Sequence, residues 1–271
     1  MSGSKRIPAI VLTTDKYRPF TENMIAAYQE MWPSNPFVFH IPYQENDVLG
    51  EAVLDARVEF VRTKKNIAPT VLKLLEAFDP DDLVYWCIDD KFPISIDAKR
   101  ATVFFEGVFR NGPPSRVDGV ALTRDRSLIA WPGIGRERFK LGGLSLYSVR
   151  SPKNFWFHRL VKVHVLRAFF ESLPPVSVAK EMDSWVRTLG VPSAQFVARR
   201  GLLVLGESTS RGVPTIQSRQ ACAARGILIP SGFSKELVDI SPIGQLSLRN
   251  KTKAITHDLI SLGASPCGRR L

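Results

Sequence analysis

The chain has 271 residues, 44% of them hydrophobic, and carries a formal net charge of +11. This length and composition allow a sizeable core in one large domain, or in one domain with an appendage. The sequence has no run of about 18 uncharged apolar residues, which excludes a membrane span. Its 3 widely spaced cysteines exclude a disulfide framework and the usual zinc spacings. Because the N-terminus also lacks the features of a secretory signal, a cytoplasmic location is expected.

The positive charge implies an anionic partner: nucleic acid, acidic lipid headgroups or a phosphorylated small molecule. The basic residues are spread along the chain, and they form neither a single block nor a nucleic-acid motif. Aromatic residues are not interleaved with them as in proteins that read single strands. Nucleic acid is therefore not the favoured partner.

Strands and helices alternate in the first third of the chain. Apolar, β-branched runs predict four strands, at residues 7–14, 37–41, 58–61 and 83–88. Pro19 suits the first turn of a helix after the first strand, and Pro69 opens a second helix that runs through Phe78. This order with short connections is typical of a doubly wound, mostly parallel sheet, so the predicted fold class is α/β and Rossmann-like.

The strand at 83–88 is an unbroken apolar run, as expected of a strand buried on both faces. It stops abruptly at Asp89 and Asp90, where open α/β sheets bind their ligands. Adjacent carboxylates repel each other unless a cation relieves them, and Lys91 follows at once. An ordinary polar turn remains an equal alternative for these three residues.

Beyond Phe92 the pattern is less regular. It predicts helices at 95–109, 155–170 and 179–189, strands at 117–122 and 144–149, and a late strand at 196–205 that Arg199, Arg200 and Gly201 interrupt. We predict one domain over residues 1–250, with a nucleotide-binding half at 1–92 and an acceptor half at 93–250. A basic tail over 251–271, expected to be partly mobile, follows it.

Several familiar motifs are absent from the sequence. It has no GxGxxG after the first strand, no GxxxxGK[ST], no GxSxG and no HExxH. These absences disfavour a nicotinamide-dependent dehydrogenase, a P-loop enzyme and an α/β-hydrolase. The fragment Gly133-Ile134-Gly135 lacks a third glycine and is interpreted as a plain turn.

The predicted order is strand-TTD-helix-strand-strand-helix-strand-IDD, and the motifs LGGLSLYSV, KEMDSW, RRG and RGILIP follow it. This arrangement resembles bacterial GT-A-fold glycosyltransferases, which use nucleotide-diphospho-sugars. The resemblance covers residues 7–230 through order and short motifs. It implies a GT-A type of sheet with C-terminal α/β elaborations. It also implies transfer of a sugar from a nucleotide-diphosphate donor to a hydroxyl of a glycan or lipid-linked acceptor, as in polysaccharide biosynthesis.

The resemblance also implies roles for individual residues. Thr13, Thr14 and Asp15 would line the nucleotide pocket. Asp89 and Asp90 would hold the ribose and a divalent cation, Mn²⁺ or Mg²⁺, on the diphosphate. Glu181 and Asp183, at the start of a predicted helix, would supply the base that deprotonates the acceptor hydroxyl.

Lys91 departs from the pattern of the family, because it stands where a second carboxylate of an Asp-x-Asp motif is expected. Either Asp89 and Asp90 support the metal alone, or Lys91 replaces part of its charge and metal dependence is weak. Basic residues later in the chain could also neutralise the diphosphate: Arg136, Arg138 and Lys140.

Two alternatives stay open. A nucleotidyltransferase of similar topology also needs paired carboxylates and a divalent cation, although no glycine- and basic-rich phosphate loop follows the first strand. A catalytically silent nucleotide- or nucleic-acid-binding protein could keep the fold and lose the second carboxylate, as Lys91 would allow. If the acceptor is lipid-linked, the basic charge favours peripheral contact with the acidic inner face of a membrane.

Overall fold

The first part of the chain forms four neighbouring parallel strands. In this computed structural model, residues 6–53, 55–112, 115–123, 134–149, 156–174, 194–198, 201–210 and 212–233 are described. The first four strands are β1 (Ile7–Leu12), β2 (Phe37–Tyr43), β3 (Val58–Arg62) and β4 (Leu83–Ile88), and the helices between them are α1 (Arg18–Met31) and α2 (Ile67–Leu75). All four predicted strands and both predicted helices are confirmed, with small shifts at their ends.

The remaining strands and helices follow along the chain. They are β5 (Lys91–Ile96), α3 (Ala98–Asn111), β6 (Gly119–Ala121), β7 (Ile134–Leu141), β8 (Leu144–Val149), β9 (Arg159–Lys162), α4 (Val163–Ser172), β10 (Gln195–Ala198), β11 (Leu203–Glu207), β12 (Thr209–Ser210), β13 (Val213–Pro214) and α5 (Ile216–Ala224). None of the described helices is long and apolar enough to cross a bilayer.

Within the described residues, nine strands form one mixed sheet in the order β3-β2-β1-β4-β9-β6-β10-β8-β7. The first four are parallel to one another. β9 is antiparallel to both of its neighbours, and β8 is antiparallel to β10 and β7. Since β6 and β10 are parallel, β8 and β9 run against the other described strands of this sheet. The predicted α/β class with a mostly parallel sheet is confirmed.

Helices cover both faces of this sheet, and β4 shows why its sequence is uniformly apolar. Tyr85 and Cys87 face the cluster that contains α1 and α3 side chains, whereas Val84, Trp86 and Ile88 face the cluster of α2 and α4. Each of these five side chains is at most 3% exposed. Burial of both faces of a strand is the arrangement expected when helices pack above and below a parallel sheet.

Three predictions for the second half need correction. The helix predicted at 95–109 begins at Ala98, after Asp97 caps it by accepting the Arg100 N–H, because the preceding residues pair with β11 as strand β5. The helix predicted at 155–170 begins at Val163, because residues before it form β9 between β4 and β6. The strand predicted at 196–205 is two strands, β10 and β11, which belong to different sheets.

The interpretation of residues 133–135 as a turn is also wrong, because Ile134 and Gly135 begin β7. The turn of that hairpin lies instead at Gly142 and Gly143, whose φ angles of 51° and 75° suit a tight two-residue connection. The strands predicted at 117–122 and 144–149 are confirmed as β6 and β8. The helix predicted at 179–189 and the tail at 251–271 lie outside the described residues.

Candidate functional site

Two of the predicted segments meet at one edge of the sheet. Thr13 follows β1 and Asp89 follows β4, and these strands are neighbours in parallel register, with Leu12 paired to Ile88. The Asp89 backbone N–H donates to the Leu12 carbonyl at 3.2 Å. Parallel strands present their carboxyl ends at the same edge, where open α/β sheets bind ligands. The fold therefore brings the two segments together, and the binding roles of their residues stay predictions.

Asp89 lies in a crowded environment at this edge. Burial raises the pKa of its carboxyl to about 8. A hydrogen bond with the Thr13 side chain lowers this pKa, and the charge of Asp90 raises it. Thr13 is itself buried and accepts a hydrogen bond of 2.8 Å from the Thr21 hydroxyl. Asp89 as a whole residue keeps some accessible surface. At neutral pH it is largely protonated and able to donate a hydrogen bond.

The next two residues form an ion-pair cluster with a residue from much later in the chain. β5 and β11 are antiparallel and pair Lys91 with Glu207. The Lys91 Nζ atom lies 3.6 Å from Oδ2 of Asp90 and 3.0 Å from Oε2 of Glu207. Although burial favours the neutral amine, the two carboxylates hold the pKa of Lys91 above its usual value. The lysine is therefore a charged ammonium between two carboxylates.

The segment after β11 covers one side of this cluster. The Ser208 N–H donates to the Asp90 carbonyl at 2.7 Å, and the Thr215 hydroxyl donates to the Glu207 carbonyl at 2.6 Å. Burial raises the pKa of the Tyr17 phenol, and the nearby charges of Asp89 and Asp90 raise it further. The Asp90 turn is thus fixed by a part of the chain that lies far away in the sequence.

His158, which directly precedes β9, contacts the end of β4. Its Nε2 atom lies 3.3 Å from the Ile88 carbonyl, and its Nδ1 atom lies 2.8 Å from the Tyr28 hydroxyl. Tyr28 also contacts the Tyr85 hydroxyl at 2.8 Å. Burial lowers the pKa of His158 to about 3, so the imidazole is neutral. A neutral ring that donates from Nε2 must accept at Nδ1, which fixes the direction of the Tyr28 hydrogen bond.

Asp15 is held by protein donors. Its carboxylate accepts backbone N–H bonds of 2.7–3.2 Å from Gln44, Glu45 and Asn46. It also pairs with Arg18 at 3.2 Å. Burial opposes ionisation, but these amides and the guanidinium lower the pKa of Asp15. The side chain ties the end of β1 to the loop after β2, and the predicted contact with a base or ribose stays a prediction.

Thr14, the remaining residue of the TTD segment, is partly buried. Its carbonyl accepts the Tyr17 N–H at 2.9 Å, which starts the short turn before α1. This backbone contact leaves the predicted role of its side chain in the nucleotide pocket as a prediction.

Other predicted residues do not join this cluster. Arg138 and Lys140 are exposed on β7, and four strands separate β7 from β4 in the sheet. Five strand spacings amount to roughly 24 Å along the sheet, which is too far for contact with Asp90. The side chain of Arg136 and the predicted bases Glu181 and Asp183 lie outside the described residues.

The described side chains at this edge do not fit a divalent cation. Among the described residues, no group of three or more His, Cys, Asp or Glu side chains could hold a metal ion. Two carboxylates at this edge, Asp90 and Glu207, are both paired with the Lys91 ammonium. Oxygen ligands bind Mg²⁺ or Ca²⁺ by surrounding the ion directly, and here a fixed positive charge takes that place.

A surface pocket of about 470 Å³ lies elsewhere, between α2 and the first three strands. Its lining includes Arg6 at the start of β1, His40 on β2 and Phe78 after α2. Asp89 and Asp90 are not among its lining residues. No predicted site residue lines it, and we place the candidate site at the strand ends.

Sequence reasoning did not identify Glu207, His158 or Tyr17 as parts of this site. Glu207 becomes a neighbour of Lys91 only through the β5–β11 pairing, for which local sequence holds no signal. His158 is six positions from His164, a spacing that does not place two side chains on one face of a helix and so indicates no site. The apolar run Phe155 to Phe157 directly before His158 was the available signal that its ring is buried.

No protein-family profile matches the sequence, and a comparison with curated proteins finds no match. Among solved structures, the chain is similar to an apo UDP-glucose pyrophosphorylase (TM-score 0.47, 8% identity, 81% of this chain and 97% of that one). It is also similar to residues 1–349 of TarS from S. aureus (0.43, 10%, 94% and 71%). A third is the 2-C-methyl-D-erythritol 4-phosphate cytidylyltransferase of Thermus thermophilus (0.40, 12%, 82% and 100%). Likenesses this distant assign no activity to the chain.

Proposed function

We propose that the protein is a glycosyltransferase that moves a sugar from a nucleotide-diphosphate donor to a hydroxyl of a glycan or lipid-linked acceptor. The observation that carries the proposal is the juxtaposition of Thr13 with Asp89 and Asp90 at the carboxyl edge of β1 and β4. This is the edge at which open α/β sheets bind nucleotides. The net charge of +11 favours an anionic ligand.

The two adjacent carboxyls suit a sugar diol. Asp89 is largely protonated near neutral pH and donates, whereas a carboxylate at Asp90 accepts. Each ribose hydroxyl is both a donor and an acceptor of hydrogen bonds. A donating and an accepting carboxyl side by side can therefore bind two neighbouring hydroxyls. In this proposal, Thr13 and Thr14 line the pocket beside them.

In the proposed reaction, the acceptor oxygen attacks the anomeric carbon of the donor sugar. The bond from that carbon to the diphosphate oxygen breaks, and the nucleoside diphosphate leaves with the electron pair. The acceptor proton passes to a carboxylate base, for which Asp183 or Glu181 remains our prediction. We assign residues 1–92 to the donor and 93–250 to the acceptor.

The location of the protein belongs to the same proposal. We place it in the cytoplasm, where nucleotide sugars would be its donors, and assign it a role in polysaccharide biosynthesis. The excess of basic residues and the tail at 251–271 would favour peripheral contact with acidic headgroups when the acceptor is lipid-linked.

A thermal-shift screen tests the proposal. The ligands are UDP, GDP, TDP and CMP, each alone and as its sugar conjugate. A ligand that binds only the folded state stabilises it by about 2.7 kcal/mol at roughly 100 times its Kd. We expect one nucleotide class to raise the melting temperature of the wild type and of Asp55→Ala, an exposed carboxylate elsewhere. Asp90→Ala should lose the shift. No shift with any ligand, or an unchanged shift in folded Asp90→Ala, would refute the proposal.

A further inference from the structure

The ammonium of Lys91 is placed by two strands rather than by its own flexible side chain. β5 and β11 set Lys91 opposite Glu207 in antiparallel register, and the backbone bond from Ser208 to Asp90 continues that contact. The Lys91 side chain is only 8% exposed, whereas those of Asp90 and Glu207 keep 39% and 31% of their surface. The ammonium is therefore buried, and the side chains of the two carboxylates that contact it are partly exposed.

The aromatic ring of Phe157 completes the enclosure. The Lys91 Nζ atom lies 5.8 Å from the centre of that ring, close enough for a cation–π contact. Phe157 precedes His158, whose ring contacts the carbonyl at the end of β4. The ammonium thus contacts two carboxylates and one aromatic ring, and all three stabilise its positive charge.

A divalent cation would compete with this ammonium for the same oxygens. A metal ligated by Asp90 and Glu207 would lie within a few ångströms of Nζ, since Nζ is 3.6 Å and 3.0 Å from their oxygens. Like charges at such distances repel strongly when they are shielded from water. Exchange of the ammonium for a metal would also require a lysine that is almost fully buried to leave its position.

We infer that Lys91, held by Glu207, is the resident cation of this site, so that the protein binds a nucleoside diphosphate without a divalent metal. The nucleotide part of the inference rests on the proposed function. The part about cations rests only on the geometry of Lys91, Asp90 and Glu207. Removal of the ammonium should therefore leave two facing carboxylates and create a metal site that the wild type lacks.

Mn²⁺ titration followed by electron paramagnetic resonance tests the cation part without any nucleotide. We expect Lys91→Gln to bind Mn²⁺ at least about tenfold more tightly than the wild type, because a fixed positive charge beside two carboxylates has gone. Adding Asp90→Asn to Lys91→Gln should abolish the gain. The matched control is Lys73→Gln, which removes a lysine from an exposed pair with Glu76 and should change nothing.

Each outcome is decisive. Tight Mn²⁺ binding by the wild type that is lost in Asp90→Asn would overturn the inference, and this measurement does not depend on Lys91→Gln being folded. A folded Lys91→Gln with no gain would also overturn it. Nucleotide binding measured in EDTA separates the two proposals. If the nucleotide binds only with Mn²⁺, the proposed function stands and the inference is refuted. If no nucleotide binds at all, the proposed function is refuted, and the Mn²⁺ titration alone tests the role of Lys91.

Discussion

The Nζ atom of Lys91 lies 3.0 Å from Oε2 of Glu207, although the two residues belong to strands far apart in the sequence. The contact lies across the two-stranded sheet formed by β5 and β11, which begins directly after the turn that follows β4. It also places a positive charge beside Asp90 at the edge where the sheet should bind its ligand. The stability and the chemistry of the site therefore depend on the same pairing.

A double-mutant cycle measures how strongly this pair is coupled. With Lys91→Gln and Glu207→Gln, singly and together, we expect a coupling of roughly 1–2 kcal/mol in urea unfolding, between the values typical of exposed and of buried ion pairs. The same cycle on Lys73 and Glu76, which are more than half exposed, should give about 0.5 kcal/mol or less. Equal coupling in both cycles would show that the Lys91 pair is not specially held.

Asp89 should make the protein less stable as the pH rises. Its folded pKa of about 8 lies above the ordinary 3.8, so between these values the folded state binds more protons than the unfolded state. Stability is then full below the lower value and is lost progressively toward the upper one. Asp89→Asn should flatten this dependence in urea unfolding between about pH 5 and about pH 9. The exposed Asp55→Asn should not, and an unchanged slope in Asp89→Asn would contradict the assignment.

His158 should act in the opposite direction at acid pH. Its folded pKa of about 3 lies below the ordinary 6.5, so the unfolded state takes up a proton first as the pH falls. Its contribution to stability is present above 6.5 and is lost toward the lower value. We expect His158→Gln to lose less stability than the wild type between about pH 7 and about pH 5. Tyr28→Phe removes one hydrogen bond of the ring but keeps the imidazole, so it should retain the acid loss.

Gly107 should be intolerant of a side chain. A Cβ atom added there would overlap the backbone of Gly142 in the β7–β8 turn, where nothing flexible can move aside. We expect Gly107→Ala to lower the free energy of unfolding by about 1–3 kcal/mol, as other overpacked sites do. Gly232→Ala is the control, since a Cβ atom there meets nothing within 4 Å. Equal effects of the two substitutions would contradict the close approach of α3 to the hairpin.

The sequence predicts the four parallel strands well because β1 to β4 are neighbours in space and each carries its own apolar run. It fails at β5, because Lys91 to Ile96 become a strand only by pairing with β11. β9 is missed for the same reason: its four residues are inserted between β4 and β6, and their local pattern continues into α4. Local periodicity reports which face of an element is buried and not which distant segment lies beside it.

Some residues of the candidate site could likewise be predicted from the sequence, and others could not. Thr13 and Asp89 are predictable because the ends of adjacent parallel strands must meet, and the structure brings them together. Glu207 could not be predicted, because its position follows from the long-range antiparallel pairing of β5 with β11. Asp15 shows a further limit, since an acidic residue after a strand can serve the backbone of a neighbouring loop. Residue type and place along a strand therefore locate the site but do not identify all of its members.

The measurement that tests the central claim most directly is the identity of the product released from the donor. The protein would be incubated with the sugar conjugate of the stabilising nucleotide and a panel of hydroxyl acceptors, water included, and the nucleotide products would be separated by chromatography. The account predicts release of the nucleoside diphosphate by the wild type and loss of that release in Asp90→Ala. Pyrophosphate formed from a nucleoside triphosphate and a sugar 1-phosphate, with no diphosphate released from any conjugate, would contradict it.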